Sequence, residues 1–214
     1  MMFSKDKLSL YFIMGSQNCK PLSPLDVLKQ AIEGGITCFQ FREKDSGLSM
    51  RETFSLGRTL REECRKHQIP FIVNDRVDLA LLLDADGVHV GQEDLPANEV
   101  RQLTGEHMWL GVSARTVDEA ERAITSGADY LGVGPMFPTR SKRDAKKPLG
   151  PDGLRSLRQR LSTSIPIVAI GGIQATHVPE IISAGANGIA VISAIASQPH
   201  PNEAAAKLAK VVRA

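Results

Sequence analysis

The feature that most restricts this chain is an alternation that runs its whole length. Short runs rich in β-branched and aromatic residues occur at 10–15 (LYFIMG), 38–43 (CFQFRE), 70–75 (PFIVND), 87–91 (GVHVG), 109–113 (WLGVS), 130–135 (YLGVGP), 166–172 (PIVAIGG) and 188–193 (GIAVIS). Amphipathic stretches separate them. In PLDVLKQAIEGG, Leu25, Leu28, Ala31 and Ile32 follow helical spacing, and Gly34-Gly35 supplies the stop. Glycine recurs just ahead of the strands in EGGIT, TSGADY and SAGANG, where it suits a helix C-cap. Strands that alternate with helices call for parallel βαβ units. Eight such units without a long linker or composition break predict an α/β fold, a closed (β/α)8 barrel in a single domain over 1–214. Barrels of this kind typically take about 250 residues, so the loops here must be tight. An open doubly wound sheet would begin with a glycine-rich first turn, and GSQNCKPLSP has no GxGxxG. The shortest interval, DRVDLALLLDADG, leaves room only for a stubby helix between the third and fourth strands.

Bulk composition narrows the function. A hydrophobic fraction of 42% with 23% charged residues is that of a soluble globular protein. A net charge of +2 excludes a general nucleic-acid binder, so any anion site has to come from local clustering. The basic run TRSKRDAKK lacks the interleaved aromatics of a nucleic-acid patch. Cys19, Cys38 and Cys64 are scattered and odd in number, against a disulfide framework or zinc site and in keeping with a reducing cytoplasm. The opening MMFSKDKLSLYFIMG does not follow the signal-peptide pattern, and no apolar run approaches the roughly 20 residues that span a bilayer. Neither nucleic acid nor a membrane is therefore an expected partner; the residues at the strand ends point to phosphorylated small molecules instead. Assembly with further copies of the chain stays open.

Barrels of this class carry their chemistry at the C-terminal ends of the strands. Those ends hold Gln40, Arg42 and Lys44; Asn74 and Asp75; Gln92, Glu93 and Asp94; Ser113 and Arg115; Gly171-Gly172; and Ser193. Asp75 and Asp94 follow neighbouring strands, so their carboxylates could converge on a hard cation such as Mg²⁺. Each could also cap the helix that follows it, a use that does not exclude metal binding, and the metal reading is preferred. Arg42, Lys44 and Lys142 suit a polyanion across the mouth. Gly171-Gly172 and the turn after Ser193 match the phosphate site often built behind strands seven and eight. Strand alternation puts Glu43 opposite Arg42, as a structural ion-pair partner. It points His89 into the barrel as a packed, hydrogen-bonded side chain. Met14 is expected as pocket wall.

The motifs QFREK, PFIVNDRVDLAL, DGVHVGQED, GVSA, GADYLGVGPMFPT, IPIVAIGGI and GIAVISAI, in this order from about Leu10 onward, resemble the thiamine-phosphate synthase family. The resemblance implies a transferase that condenses 4-amino-2-methyl-5-pyrimidinylmethyl diphosphate with 4-methyl-5-(2-phosphoethyl)thiazole or its 2-carboxy form. It implies Gln40, Phe41, Arg42, Glu43, Lys44, Asn74, Ser113 and Lys142 around the pyrimidine diphosphate, with Arg42, Lys44, Lys142 and Ser113 as the catalytic set. It implies Asp75 and Asp94 on Mg²⁺, and Thr139, Arg140, Ser141, Gly172, Ile192 and Ser193 around the thiazole phosphate. Two departures stand out: Arg115 where His is usual after GVSA, and Ser141 for Thr, which keeps the hydroxyl. Arg115 is expected to join the anion-binding set or to turn outward. The basic stretch 138–150 is expected to close over bound diphosphate.

Overall fold

The computed structural model describes residues 3–19, 21–139 and 147–213. Eight parallel strands close on themselves in sequence order: β1 (Leu10–Met14), β2 (Cys38–Phe41), β3 (Phe71–Asn74), β4 (Gly87–Val90), β5 (Trp109–Ala114), β6 (Tyr130–Val133), β7 (Ile167–Ile170) and β8 (Gly188–Val191). Closure is made where Leu10, Tyr11 and Phe12 pair with Ile189, Ala190 and Val191. The helices are α1 (Pro24–Glu33), α2 (Met50–Lys66), α3 (Val77–Leu82), α4 (Ala97–Thr104), α5 (Val117–Thr125), α6 (Gly150–Arg160), α7 (Val178–Ser183), α8 (Ser193–Ala196) and α9 (Pro201–Val212). The chain is thus the expected (β/α)8 barrel, and α3 is the stubby helix.

Local chemistry sets the joints. Ser49 with Glu52, and Thr116 with Glu119, form reciprocal capping boxes at the starts of α2 and α5. Gly35, Gly127 and Gly185 are left-handed just past α1, α5 and α7. The next N–H in each case reaches back five residues: Ile36 to the Ala31 carbonyl at 3.2 Å, Ala128 to Ala123 at 3.0 Å, Ala186 to Ile181 at 3.3 Å. The repeated glycine phrase before the strands is this cap.

Strand alternation divides the apolar residues into two shells. Outward-facing Phe12, Phe39, Phe41, Phe71, Val88, Leu110, Leu131 and Ile189 pack against the helices. Inward-facing Tyr11, Ile13, Cys38, Ile72, Trp109, Tyr130, Val168 and Ala190 fill the barrel, with Leu8 buried among them and Phe3 edge-on to Trp109 at 5.0 Å. Met14 has no exposed surface and belongs to the outer shell, not to the pocket wall expected of it. Cys19, Cys38 and Cys64 are free and buried. Burial pushes the Cys19 thiol up to about 12 and holds the other two well above the ordinary value. Among the described residues, no helix is long and apolar enough to cross a membrane.

Candidate active site

The strands' C-terminal ends open into one cavity of about 1320 Å³. On the side of β2 to β5 it is lined by Arg42, Lys44, Asn74, Asp75, Asp94 and Ser113, and on the side of β6 to β8 by Thr139, Gly172, Ile192 and Ser193. Those ten expected site residues share one space. Arg140, Ser141 and Lys142 lie outside the described residues, as does the middle of the stretch expected to close over ligand.

Three expected residues are placed differently. Gln40 is 2% exposed and lies below the cavity floor, where its Nε2 donates to the Tyr11 hydroxyl at 2.9 Å. Phe41 faces outward, tilted over Phe71 with ring centroids 6.1 Å apart. Alternation that turns Gln40 inward must turn Phe41 out, so its ring cannot line the mouth. Glu43 accepts from the Ser16 N–H at 2.9 Å and the Ser16 hydroxyl at 2.6 Å. Its carboxylate latches the loop after β2 to the turn after β1; its partner is a serine, not the cation expected.

Asp75 and Asp94 face one another beyond the ends of β3 and β4. Neither caps a helix: the N-caps of α3 and α4 are Arg76 and Pro96, and neither side chain makes a cap bond. Asp94 Oδ2 instead accepts from the Gly91 N–H at 2.7 Å, which turns the loop so that the carboxylate faces Asp75. Asp75 sits at φ +60° with its Oδ2 3.2 Å from Lys44 Nζ. Burial first, then repulsion from Asp94 and a hydrogen bond with it, raise the Asp75 carboxyl above its ordinary value although Lys44 pulls the other way. On Lys44, burial works against the charge, but Asp75 and then Asp94 outweigh it and hold the ammonium above its ordinary value. One ammonium thus serves two carboxylates. Among the described residues no third His, Cys, Asp or Glu joins them in a metal-ligating cluster. Mg²⁺ takes one or two carboxylates and fills its remaining positions with water and substrate phosphate, so this pair fits it.

The opposite wall is backbone. Gly171 and Gly172 have φ +101° and +66°, and a Cβ on Gly172 would lie 2.6 Å from the Pro138 carbonyl oxygen. Only glycine lets the β7 turn lie this close to the segment after β6. Beside it Ile192 and Ser193 open the short α8. The arrangement offers main-chain groups to a second anion.

Arg115 lines the same cavity, where main-chain carbonyls hold its guanidinium. Its Nε donates to the Gly134 carbonyl at 3.2 Å and its Nη2 to the Lys147 carbonyl at 2.6 Å. The Leu149 N–H adds a bond to the Pro135 carbonyl at 2.8 Å. The guanidinium is a strut between β5 and the two ends of the β6–α6 connection.

The profile of the family described as thiamine monophosphate synthase matches residues 10–195. A thiamine-phosphate synthase of Geobacillus kaustophilus (strain HTA426) is 56% identical over 211 residues, covering 98% of this chain and 94% of the relative. One from Geobacillus thermodenitrificans (strain NG80-2) is 56% identical over 210 residues, with 98% and 94% covered. The solved thiamine phosphate pyrophosphorylase of Pyrococcus furiosus superposes with a TM-score of 0.86 at 38% identity, over 98% of this chain and 97% of that one. With fold, cavity and near-full-length identity in agreement, the chain belongs to the thiamine monophosphate synthase family and is an enzyme of thiamine biosynthesis.

Proposed function

We propose that the chain joins 4-amino-2-methyl-5-pyrimidinylmethyl diphosphate to 4-methyl-5-(2-phosphoethyl)thiazole, or its 2-carboxy form, giving thiamine phosphate and diphosphate. The observation that carries this reading is the Asp75–Asp94 pair beside Lys44 at one wall of a cavity with room for two ligands. When bound there, Mg²⁺ would offset charge on the departing diphosphate. Arg42 and Lys44, with Lys142, hold the diphosphate oxygens and neutralise the charge that grows as the C–O bond breaks. Asn74 and Ser113 orient the same group. The amino-pyrimidine stabilises a positive methylene, and the thiazole nitrogen, held in line, forms the new C–N bond; its advantage is proximity. No side chain acts as nucleophile. The backbone at Gly172, Ile192 and Ser193, with Thr139, Arg140 and Ser141, holds the thiazole phosphate.

A related barrel that only shifts a proton on the thiazole would favour an imidazole at position 115. It would have no use for paired carboxylates beside Lys44 at a cation and diphosphate site, and that pair supports the transferase over it. The reading places the enzyme in the cytoplasm with these two phosphorylated substrates as its partners. Incubation with both precursors and Mg²⁺, followed by oxidation, should give thiochrome fluorescence. Absence of that product from a folded preparation overturns the reading.

A further inference from the structure

From beneath the cavity floor up to its lining, five inward side chains from five strands form one hydrogen-bonded chain. Gln40 Nε2 meets the Tyr11 hydroxyl at 2.9 Å, Tyr11 meets the Tyr130 hydroxyl at 2.9 Å, Tyr130 meets His89 Nδ1 at 3.2 Å, and His89 Nε2 meets Ser113 Oγ at 3.0 Å. Two glycines make room for it. A Cβ on Gly132 would lie 2.9 Å from His89 Cε1, and one on Gly111 would overlap the Tyr130 ring. We infer that this chain has a fixed proton order that makes Ser113 a hydrogen-bond donor toward the cavity, there to meet an anionic diphosphate oxygen, with Tyr11, Tyr130 and His89 as positioning residues.

The order follows from counting protons. A phenol has one proton to give. Burial holds Tyr11 and Tyr130 well above the ordinary phenol value, so both keep theirs. The Gln40 amide donates to Tyr11, which must then place its own proton elsewhere in a dry interior. Two acceptors are within reach. The Cys38 sulfur is a weak one, with its own thiol proton directed at the Pro70 carbonyl at 3.8 Å. The Tyr130 oxygen is the stronger, so Tyr11 donates to Tyr130. Tyr130 then donates to His89 Nδ1. An imidazole that accepts at Nδ1 carries its proton on Nε2 and donates it to Ser113 Oγ. Ser113 has accepted on that side and lines the cavity on the other, with its own proton still to give. A hydroxyl donor facing a diphosphate oxygen makes a short, charge-assisted bond. The identity of that ligand rests on the reaction proposed above; the proton order does not.

Two measurements test this. In ¹⁵N-histidine-labelled free protein, the resonances lost in His89→Gln should show a protonated Nε2 and an unprotonated Nδ1. A protonated Nδ1 overturns the inference. In the second, binding of Mg²⁺–diphosphate is measured by calorimetry for Ser113→Ala, Tyr130→Phe and the double variant. Each single change should weaken binding about tenfold, the size of one hydrogen bond to a charged group. The double variant should be no weaker than Ser113→Ala, because Tyr130 acts through Ser113. Losses that multiply, or a Ser113→Ala variant that binds normally, overturn it. Should Tyr130→Phe fail to fold, Tyr11→Phe replaces it in the cycle. If the unaltered protein binds no diphosphate, the proposed reaction falls, while the spectrum of the free protein still decides the proton order.

Discussion

Replacing Asp75 by Asn should separate stability from activity in a direction opposite to that of most mutations. Asn tolerates the left-handed φ of +60° that Asp75 adopts, so the change tests charge and not backbone strain. In the metal-free protein the carboxylate faces Asp94, with Lys44 at 3.2 Å to offset the repulsion. Two like charges about 4 Å apart at an effective dielectric near 20 repel by roughly 4 kcal/mol, and one opposite charge at similar range cancels most of that. The folded carboxyl is held above its unfolded value of 3.8, so its contribution to stability is present below that pH and lost as pH rises through the folded value. At neutral pH, Asp75→Asn should therefore melt at or slightly above the unaltered protein, by at most about 1 kcal/mol. Well below pH 3.8 the Asp75 carboxyl is neutral, like the Asn that replaces it, and the difference should vanish. With Mg²⁺–diphosphate at about a hundredfold excess over its Kd, the unaltered protein should gain about 2.7 kcal/mol. That corresponds to roughly 5–11 °C for a chain of this size. The variant should gain almost nothing and lose on the order of a hundredfold in thiochrome-forming turnover, as when one preorganised charge-stabilising contact is removed. Melting temperature against pH and ligand, read beside turnover, measures all of it. A variant that keeps both the ligand shift and the turnover refutes the placement of the metal.

Glu43→Ala should cost about 2 kcal/mol in urea unfolding through loss of the Ser16 latch, since hydrogen bonds to a charged acceptor are worth roughly 1.5–3 kcal/mol. Glu43→Gln should recover part of that. Arg115→Ala should leave calorimetric Mg²⁺–diphosphate affinity within about twofold, since the guanidinium is spent on carbonyls, yet lower stability by about 1–2 kcal/mol. A large affinity loss would return Arg115 to the anion set. Gly172→Ala should raise KM for the thiazole phosphate far more than for the diphosphate substrate, because its Cβ would push on the Pro138 carbonyl. Equal effects on both substrates would remove the β7 turn from the thiazole side.

The barrel was readable because its signals are local. Strand runs, the glycine caps and the short interval before β4 are patterns within a dozen residues, and each recurs in the structure. Alternation also carried more than was taken from it: turning Gln40 inward already turns the Phe41 ring away from the mouth. Asp75 and Asp94 read as metal ligands that could also cap helices, and the N-caps are instead Arg76 and Pro96. What the sequence did not disclose has partners far along the chain. Tyr11 and Tyr130 are 119 residues apart, and a tyrosine two places before an inward glycine was the one trace of the pair. Arg115 works on main-chain carbonyls, which leave no residue-specific mark.

The three buried cysteines have a practical consequence. A thiol that burial holds well above its ordinary pKa is almost wholly protonated at neutral pH, and the thiolate is the form that alkylates. The folded chain is therefore close to silent toward maleimide and methanethiosulfonate reagents. A cysteine introduced at exposed Gln17 or Ser197, both on the rim of the cavity, would take a fluorophore or spin label without removing the native thiols first. Distances between two such labels would follow the barrel mouth through a catalytic cycle in an otherwise unaltered enzyme.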